Sequence, residues 1–233
     1  MASPVGDDAG RALPAWDSRM PSRARTMALA FAIGSLCFLV GPFPGYAGLV
    51  GAEADAITFF VGSIFFTVGG ALQVSLSGAG PDRQAAIIQS AGTLFFNVTT
   101  YQALHTSLSD ADYDRLVWRP DALGSVCFLV SGVIAYRARR SGDGWEPAVN
   151  LLGCVFFGIS AVAGYVVPES GSVLDLAWAN WNTALGAACF LACAVATLRS
   201  GRTMKSPRLR RLHHLEETAK RRLSSARRGR SRP

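Results

Sequence analysis

Six apolar stretches dominate the sequence, at residues 26–42, 56–77, 85–107, 120–137, 147–167 and 174–198. A helix needs about 20 mainly apolar residues to cross the hydrocarbon core of a bilayer. Four stretches reach this length, and the first and fourth reach it with residues at their ends. The short connections carry Pro, Gly and Asp, which is typical of turns. The sequence therefore predicts an all-α integral membrane bundle of six transmembrane helices.

The charged residues are concentrated at one end of the chain. Residues 199–233 contain 13 Arg or Lys and only two acids, whereas the net charge of the whole chain is +7. The rest of the chain is therefore net negative. We expect a disordered cytoplasmic tail at 1–25, a transmembrane domain at 26–198 and a basic cytoplasmic tail at 199–233.

The basic residues also predict an orientation in the cell membrane. Arg and Lys are enriched in cytoplasmic loops. Arg19, Arg23 and Arg25 lie just before the first stretch, and Arg137, Arg139 and Arg140 lie at the end of the fourth, whereas the loops at 43–55 and 168–174 have no Arg or Lys. Both termini are therefore expected in the cytoplasm, with six spans between them.

Every apolar stretch carries the same motif, which is Gly, a small residue, a variable residue, Cys or Phe, and then Phe. The six copies are Gly34–Phe38, Gly62–Phe66, Gly92–Phe96, Gly124–Phe128, Gly153–Phe157 and Gly186–Phe190. Small residues let membrane helices approach closely, and residues four apart share one helix face. We interpret the motif as helix packing; the alternative is that the Phe rings line a substrate path.

The first and fourth copies are nearly identical over seven residues. A cleaved signal peptide has no reason to match an internal helix, so this match favours a true first span. Gly34 can be aligned with Gly124, and the next two motif pairs follow in register. Because three is an odd number of spans, the second half would have the opposite orientation in the membrane to the first. The alignment therefore predicts two inverted three-helix repeats. A repeat of one or two helices is the alternative.

The stretches at 60–67 and 123–129 are similar to the YrhK-like family of small bacterial membrane proteins. Both carry Gly-Ser-x-x-Phe within a short membrane helix. The resemblance covers residues 26–198 and implies a helical membrane fold, no established activity and no catalytic residues. The long basic tail is not part of the family pattern.

Polar residues within the apolar stretches are the candidates for function. No helix centre carries a charged residue, which speaks against an ion-coupled carrier with a mid-membrane carboxylate. The candidates either bridge helices or line a ligand path, and they are Gln73, Gln89, Asn97, Thr100, Asn150 and Asn182, with Asn180 beside them. The Pro and acid of 118–121 and of 145–147 are interpreted as helix starts.

The sequence offers no catalytic or metal signature. The five cysteines lie within apolar runs, without C-x-x-C spacing or a neighbouring His. We interpret them as packing residues, although Cys189 and Cys193 share a helix face. We expect no enzyme activity, no cofactor and no metal site.

The basic tail predicts an amphipathic helix after Ser206 and Pro207. Anionic lipid attracts such basic residues by about 1 kcal/mol each. The expected lipid-surface residues are Arg208, Arg210, Arg211, Lys220, Arg221 and Arg222. A pure topology signal is the alternative, and nucleic acid is disfavoured as a partner because no aromatic residues are interleaved for stacking.

The predicted function is a non-enzymatic multi-pass membrane protein packed by the repeated motif. The alternative is a small-solute transporter or channel, as a homo-oligomer, with Asn97 and its neighbours lining the path. A membrane enzyme is the weakest of the three hypotheses, because no nucleophile or His–carboxylate cluster is present.

Overall fold

A computed structural model describes residues 22–43, 45–104, 109–139, 144–167 and 172–200. The helices are α1 (Ser22–Val40), α2 (Tyr46–Val50), α3 (Ala52–Leu76), α4 (Pro81–Gln102), α5 (Asp110–Tyr113), α6 (Arg119–Ala138), α7 (Glu146–Ala163) and α8 (Leu176–Ser200). A π-helical turn at Asp114–Trp118 joins α5 to α6. Two short strands, β1 (Val166–Val167) and β2 (Ser172–Val173), pair antiparallel between α7 and α8.

The predicted all-helical membrane fold is confirmed in its coarse form. Within the described residues, five helices are long and apolar enough to cross a membrane. These are α1, α3, the continuous helix Asp110–Ala138, α7 and α8. The remaining long helix, α4, has 22 residues but carries more polar side chains. The basic tail and its six candidate lipid-surface residues lie outside the described residues.

The fourth apolar stretch begins earlier than the sequence predicted. Trp118 to Asp121 were interpreted as a helix start, but they lie inside one continuous helix that begins at Asp110. Pro120 cannot donate a backbone hydrogen bond and its ring crowds the preceding turn. The π-helical turn directly before it widens the helix at this point. The helix thereby accommodates the proline without ending.

The six long helices form a closed ring in chain order. Each contacts the long helix before and after it, and α8 returns to contact α1. Neighbours run antiparallel: Phe31 lies against Gly69, whereas Gly41, further along α1, lies against Phe59. We call the end at which α1 begins and α8 ends the terminal end, and the opposite end the far end.

The six motifs pack as three reciprocal pairs. A Cβ atom added to Gly34 would meet Phe66 at 3.2 Å, and one added to Gly62 would meet Phe38 at 2.9 Å. The motifs of α4 and α6 pack on each other in the same way, and so do those of α7 and α8. Each glycine thus makes the room that the phenylalanine of the partner helix occupies. The repeating unit is therefore a two-helix hairpin, present three times.

The prediction of two inverted three-helix repeats is wrong. A two-fold axis in the membrane plane would reverse the direction in which the second half winds around the ring. The helices instead follow one another around the ring in chain order, so α1, α3 and α4 wind in the same sense as α6, α7 and α8. The closest packing joins Gly34 to Gly62 on the neighbouring helix, which makes the two-helix hairpin the packing unit.

The residue after each motif glycine is among the most deeply buried of the bundle. Ser35, Ser63, Thr93, Ser125, Cys154 and Ala187 are all 0–2% exposed. Two of them contact the next hairpin, because Ser63 bonds Thr100 at 2.9 Å and Ser125 donates to the carbonyl of Phe157 at 3.3 Å. The large aliphatic side chains face outward instead, as in Leu94 and Val126. This distribution suits a lipid environment.

Candidate functional site

The axis of the bundle is filled by the six motif phenylalanines, which we call the Phe plug: Phe38, Phe66, Phe96, Phe128, Phe157 and Phe190. Each is at most 5% exposed. Phe38, Phe96 and Phe157, the first of each hairpin, form a triangle with centroids 5.8–6.5 Å apart. Phe190 lies 6.2 Å from Phe66 and 5.7 Å from Phe128 in the second layer.

A cavity of about 220 Å³, the far cavity, lies on the far side of the Phe plug. The triangle of Phe38, Phe96 and Phe157 forms its apolar floor. Its polar lining comes from the second and third hairpins, whereas the first contributes only apolar side chains. The polar residues are Thr99, Thr100, Tyr113, Asp121, Ser160, Asn180 and Thr183. This volume holds a few water molecules or one small organic solute.

Hydrogen bonds to backbone carbonyls fix the hydroxyl groups of the far cavity. Thr99 donates to Val117 at 3.0 Å, and Thr100 donates to Phe96 at 2.7 Å. Ser160 donates to Ala179 at 2.8 Å across to α8. A hydroxyl that donates a hydrogen bond to a carbonyl still has lone pairs that can accept a hydrogen bond or contact a cation. The walls of the cavity are thus rich in oxygen acceptors.

Asp121 supplies the only acidic side chain among the described residues that line the far cavity. It lies one short turn into α6, directly after the π-helical turn. No hydrogen bond or ion pair to its carboxylate is present in the part of the chain that the structure describes. Its neighbour Arg119 pairs instead with Asp114, at 3.0 Å. Residues two apart on a helix point to nearly opposite sides, so Arg119 points away from the cavity.

A second cavity, the terminal cavity, lies on the other side of the Phe plug and has a volume of about 130 Å³. Phe66 and Phe190 border it. The amides of Gln73, Gln89 and Asn150 line it, together with Thr197. Ser131 donates to Gln89 at 3.4 Å, whereas Oε1 of Gln73 is buried without a hydrogen-bond partner among the described residues. Among the described residues that line the terminal cavity, several are polar and none is charged.

The predicted polar residues fall into two groups in the structure. Gln73, Gln89 and Asn150 come together in the terminal cavity, and Thr100 lines the far cavity. Asn97 lines neither; it donates to Thr67 at 2.9 Å and ties α4 to α3. Asn182 is 1% exposed and donates to the carbonyl of Trp178 in its own helix. Asn97 therefore connects two neighbouring helices and Asn182 bonds its own backbone, and neither lines a cavity.

The far cavity contains residues that the sequence interpretation missed. Asp121 was read as a helix-start acid, and Tyr113 was placed in a loop. Two apolar residues before the proline, Val117 and Trp118, are the signal that the helix begins earlier; Val117 is 5% exposed, and Trp118 donates to Ala161 at 2.8 Å. Extending the helix backward through them would have placed Asp121 within the bundle.

An apolar surface groove lies between α6, α7 and the start of α8. Leu129, Val155 and Val162 are among its lining residues. Trp118 borders both this groove and the far cavity. Among the described residues, no group of three or more His, Cys, Asp or Glu side chains is placed to hold a metal ion.

Comparisons with known protein families, with curated proteins and with solved structures found no match to this chain. The resemblance to the YrhK-like family therefore stays a prediction. The chemistry of the two cavities is the basis on which a function can be inferred.

Proposed function

We propose that this protein is a six-span membrane protein of the bacterial cell membrane that lets a small solute cross along the bundle axis. The observation that carries the proposal is the pair of polar cavities on opposite sides of the Phe plug. Two cavities large enough for water, on opposite sides of one constriction, are the arrangement expected of a solute channel in its closed state. This is the second of the three functional hypotheses that the sequence allowed, but Asn97 and Asn182 are not among the lining residues.

The polarity of α4 supports a sixth span. Its polar side chains Gln89, Thr93 and Thr100 are at most 7% exposed, so they face the interior. Its exposed large residues include Ile87, Leu94 and Val98, which present an apolar surface outward. A helix with this distribution can cross a bilayer in spite of its low average hydropathy, because the neighbouring helices cover its polar groups.

The Phe plug supports a gated path as opposed to an open pore. Hydrophobic constrictions close channels by excluding water. Six aromatic rings in two layers fill the axis between the cavities. Passage would need the rings of one layer to rotate or the hairpins to separate. Each hairpin packs internally through its glycines, so the three hairpins are the natural rigid parts of such a movement.

The proposal includes the orientation and the partners expected from the sequence. Both termini lie in the cytoplasm, so the terminal cavity opens inward and the far cavity outward. The basic tail associates with anionic lipid head groups, and a homo-oligomer is compatible with the outward apolar groove. We propose no enzymatic step and keep the YrhK-like family as the expected relatives.

The rival function is a purely structural membrane protein, and solute flux separates the two. The full-length protein is reconstituted into liposomes, and the rate of entry of small uncharged and charged solutes is measured by stopped-flow light scattering. We expect entry faster than in protein-free liposomes, with small solutes ahead of large ones. Because the structure is closed, the variant Phe157→Ala is measured in parallel. If neither protein exceeds the protein-free rate, the proposal is wrong.

A further inference from the structure

We infer that the far cavity binds a small monovalent cation, because Asp121 lines it together with hydroxyl oxygens and with the aromatic floor of Phe38, Phe96 and Phe157. This inference rests on the proposed function and names the class of solute that enters the path. The ligand is an organic ammonium ion or an alkali-metal ion, which share the same charge and the same need for oxygen acceptors.

The first argument is charge balance. The described residues that line the far cavity include Asp121 but no Lys or Arg. The nearest basic residue along the helix, Arg119, is paired with Asp114 at 3.0 Å and is 63% exposed. An ionised carboxylate within a helix bundle, in a cavity lined by acceptors and aromatic rings but no base, is costly unless a counter-charge accompanies it. A cation entering from the far end supplies that charge.

The second argument is the set of acceptors around the carboxylate. The Thr99 hydroxyl donates a hydrogen bond to the Val117 carbonyl, so its oxygen lone pairs are available for a ligand. Because Ser160 donates to Ala179, Thr183 donates to Ser160 at 2.6 Å, and the lone pairs of Thr183 are available as well. Oxygen acceptors of this kind replace the hydration shell of a hard cation or receive the N–H groups of an ammonium ion. Anions would find few donors here.

The third argument concerns the size of the charge. One carboxylate neutralises one positive charge, so a divalent ion would leave an uncompensated charge against the Phe plug. The aromatic floor adds an attraction for cations, because the faces of aromatic rings are electron-rich. Ammonium ions with a short alkyl group can use the carboxylate and the rings together. We therefore expect methylammonium to bind more tightly than K⁺.

The charge of the far end supports cation entry from that side. Glu53 and Asp55 lie in the first turn of α3, and Asp110 and Asp112 lie in α5. Asp175 stands before α8, where its carboxylate accepts from the backbone of Trp178 at 2.9 Å. Arg115 is the one exposed base among the described residues of this end that has no acidic partner assigned. A net negative mouth concentrates cations and speeds their approach.

The test measures binding separately from transport. Full-length protein in detergent is titrated with methylammonium chloride, with KCl and with uncharged acetamide by isothermal titration calorimetry. We expect heat from the two cations and none from acetamide. Asp121→Asn should weaken methylammonium binding by about tenfold or more, because a charge-assisted contact is lost. Asp110→Asn removes one acid from the same end without touching the cavity, and should change binding little.

The outcomes separate the inference from the proposed function. If the wild type binds no cation, or if Asp121→Asn binds as well as the wild type, the inference is wrong even when liposome flux is present. If cations bind and Asp121→Asn abolishes it while no solute crosses, the site stands and the transport function fails. Should Asp121→Asn not fold, two separate single variants replace it. Asp121→Glu should retain cation binding, and Thr99→Val should weaken it several-fold.

Discussion

Phe157 and Phe190 stack nearly parallel, with ring planes 14° apart and centroids 5.4 Å apart. They come from the two helices of one hairpin, and each also packs against the glycine of the other helix. Phe157 borders the far cavity, and Phe190 borders the terminal cavity. This stacked pair is therefore a direct link between the two cavities, and the thickness of the barrier there is two rings.

Truncating one of these rings should open the barrier. Phe157→Ala removes a ring that is 4% exposed and leaves a hole between the cavities. We expect faster solute entry into liposomes, together with a loss of stability of about 3–5 kcal/mol. Phe156→Ala is the matched control, because Phe156 precedes the motif ring and is only half-buried. Equal flux in the two variants would contradict the assignment of the plug as a gate.

The motif glycines should tolerate no methyl group. A Cβ atom at Gly92 would lie 2.7 Å from the Phe128 ring and 3.0 Å from the Gly124 carbonyl oxygen. Gly92→Ala should therefore destabilise the bundle by about 1–3 kcal/mol through overpacking. Gly48→Ala is the control, since nothing lies within 4 Å of the added atom, and it should be neutral or stabilising. Thermal unfolding in detergent measures both variants.

Asn97 and Asn180 should behave differently although both are polar residues of long helices. Asn97 donates to Thr67 between α4 and α3, so Asn97→Ala should cost about 0.6 kcal/mol of stability and leave flux unchanged. Asn180 lines the far cavity, so Asn180→Ala should alter flux or solute preference with little effect on unfolding. The reverse pattern would indicate that the path runs between helices.

The six-span orientation can be tested by cysteine labelling from outside intact cells. A cysteine at Ser109, at the far end, should react with a membrane-impermeant maleimide, whereas one at Ser206 should react only after lysis. The unmodified protein is the control, because its described cysteines are buried or half-buried within helices. Labelling at Ser206 in intact cells would show that the proposed orientation is reversed or that the number of spans is odd.

The basic tail should be dispensable for folding but needed for surface association. Deleting residues 205–233 should leave the unfolding temperature in detergent nearly unchanged. A peptide of this segment should bind anionic vesicles and release at high salt, because screening shortens the range of the attraction. Equal binding to neutral vesicles would rule out the electrostatic contribution.

The sequence predicted the helices and the packing motif more readily than their pairing. Periodicity and length identify apolar helices, and Gly followed four residues later by Phe identifies a packing face. All six copies look alike, so a pairwise alignment of Gly34 with Gly124 could not show which glycine meets which ring. The more informative clue was spacing: Gly62, Gly124 and Gly186 are separated by 62 residues each, the length of one hairpin.

The polar lining was harder to predict for a geometric reason. Asn180 and Asn182 lie in the same turn of α8, yet one faces the far cavity and the other bonds its own helix. Two residues that are two positions apart on a helix point about 200° apart. The composition of a turn therefore does not say which of its side chains faces the axis. Asp121 was missed because its helix begins a full segment earlier than its apolar run.

The closed ring has a consequence for how the chain is made. Met27 and Phe31 at the start of α1 share the wall of the terminal cavity with Ala194 and Thr197 near the end of α8. During synthesis, the side of α1 that later contacts α8 is covered by lipid until α8 has been made and inserted. Glycine-paired hairpins are suited to this stage, because each satisfies its closest packing alone. The final seam between α1 and α8 is therefore a maturation step, and a nascent chain that stalls before Phe190 would hold an incomplete plug.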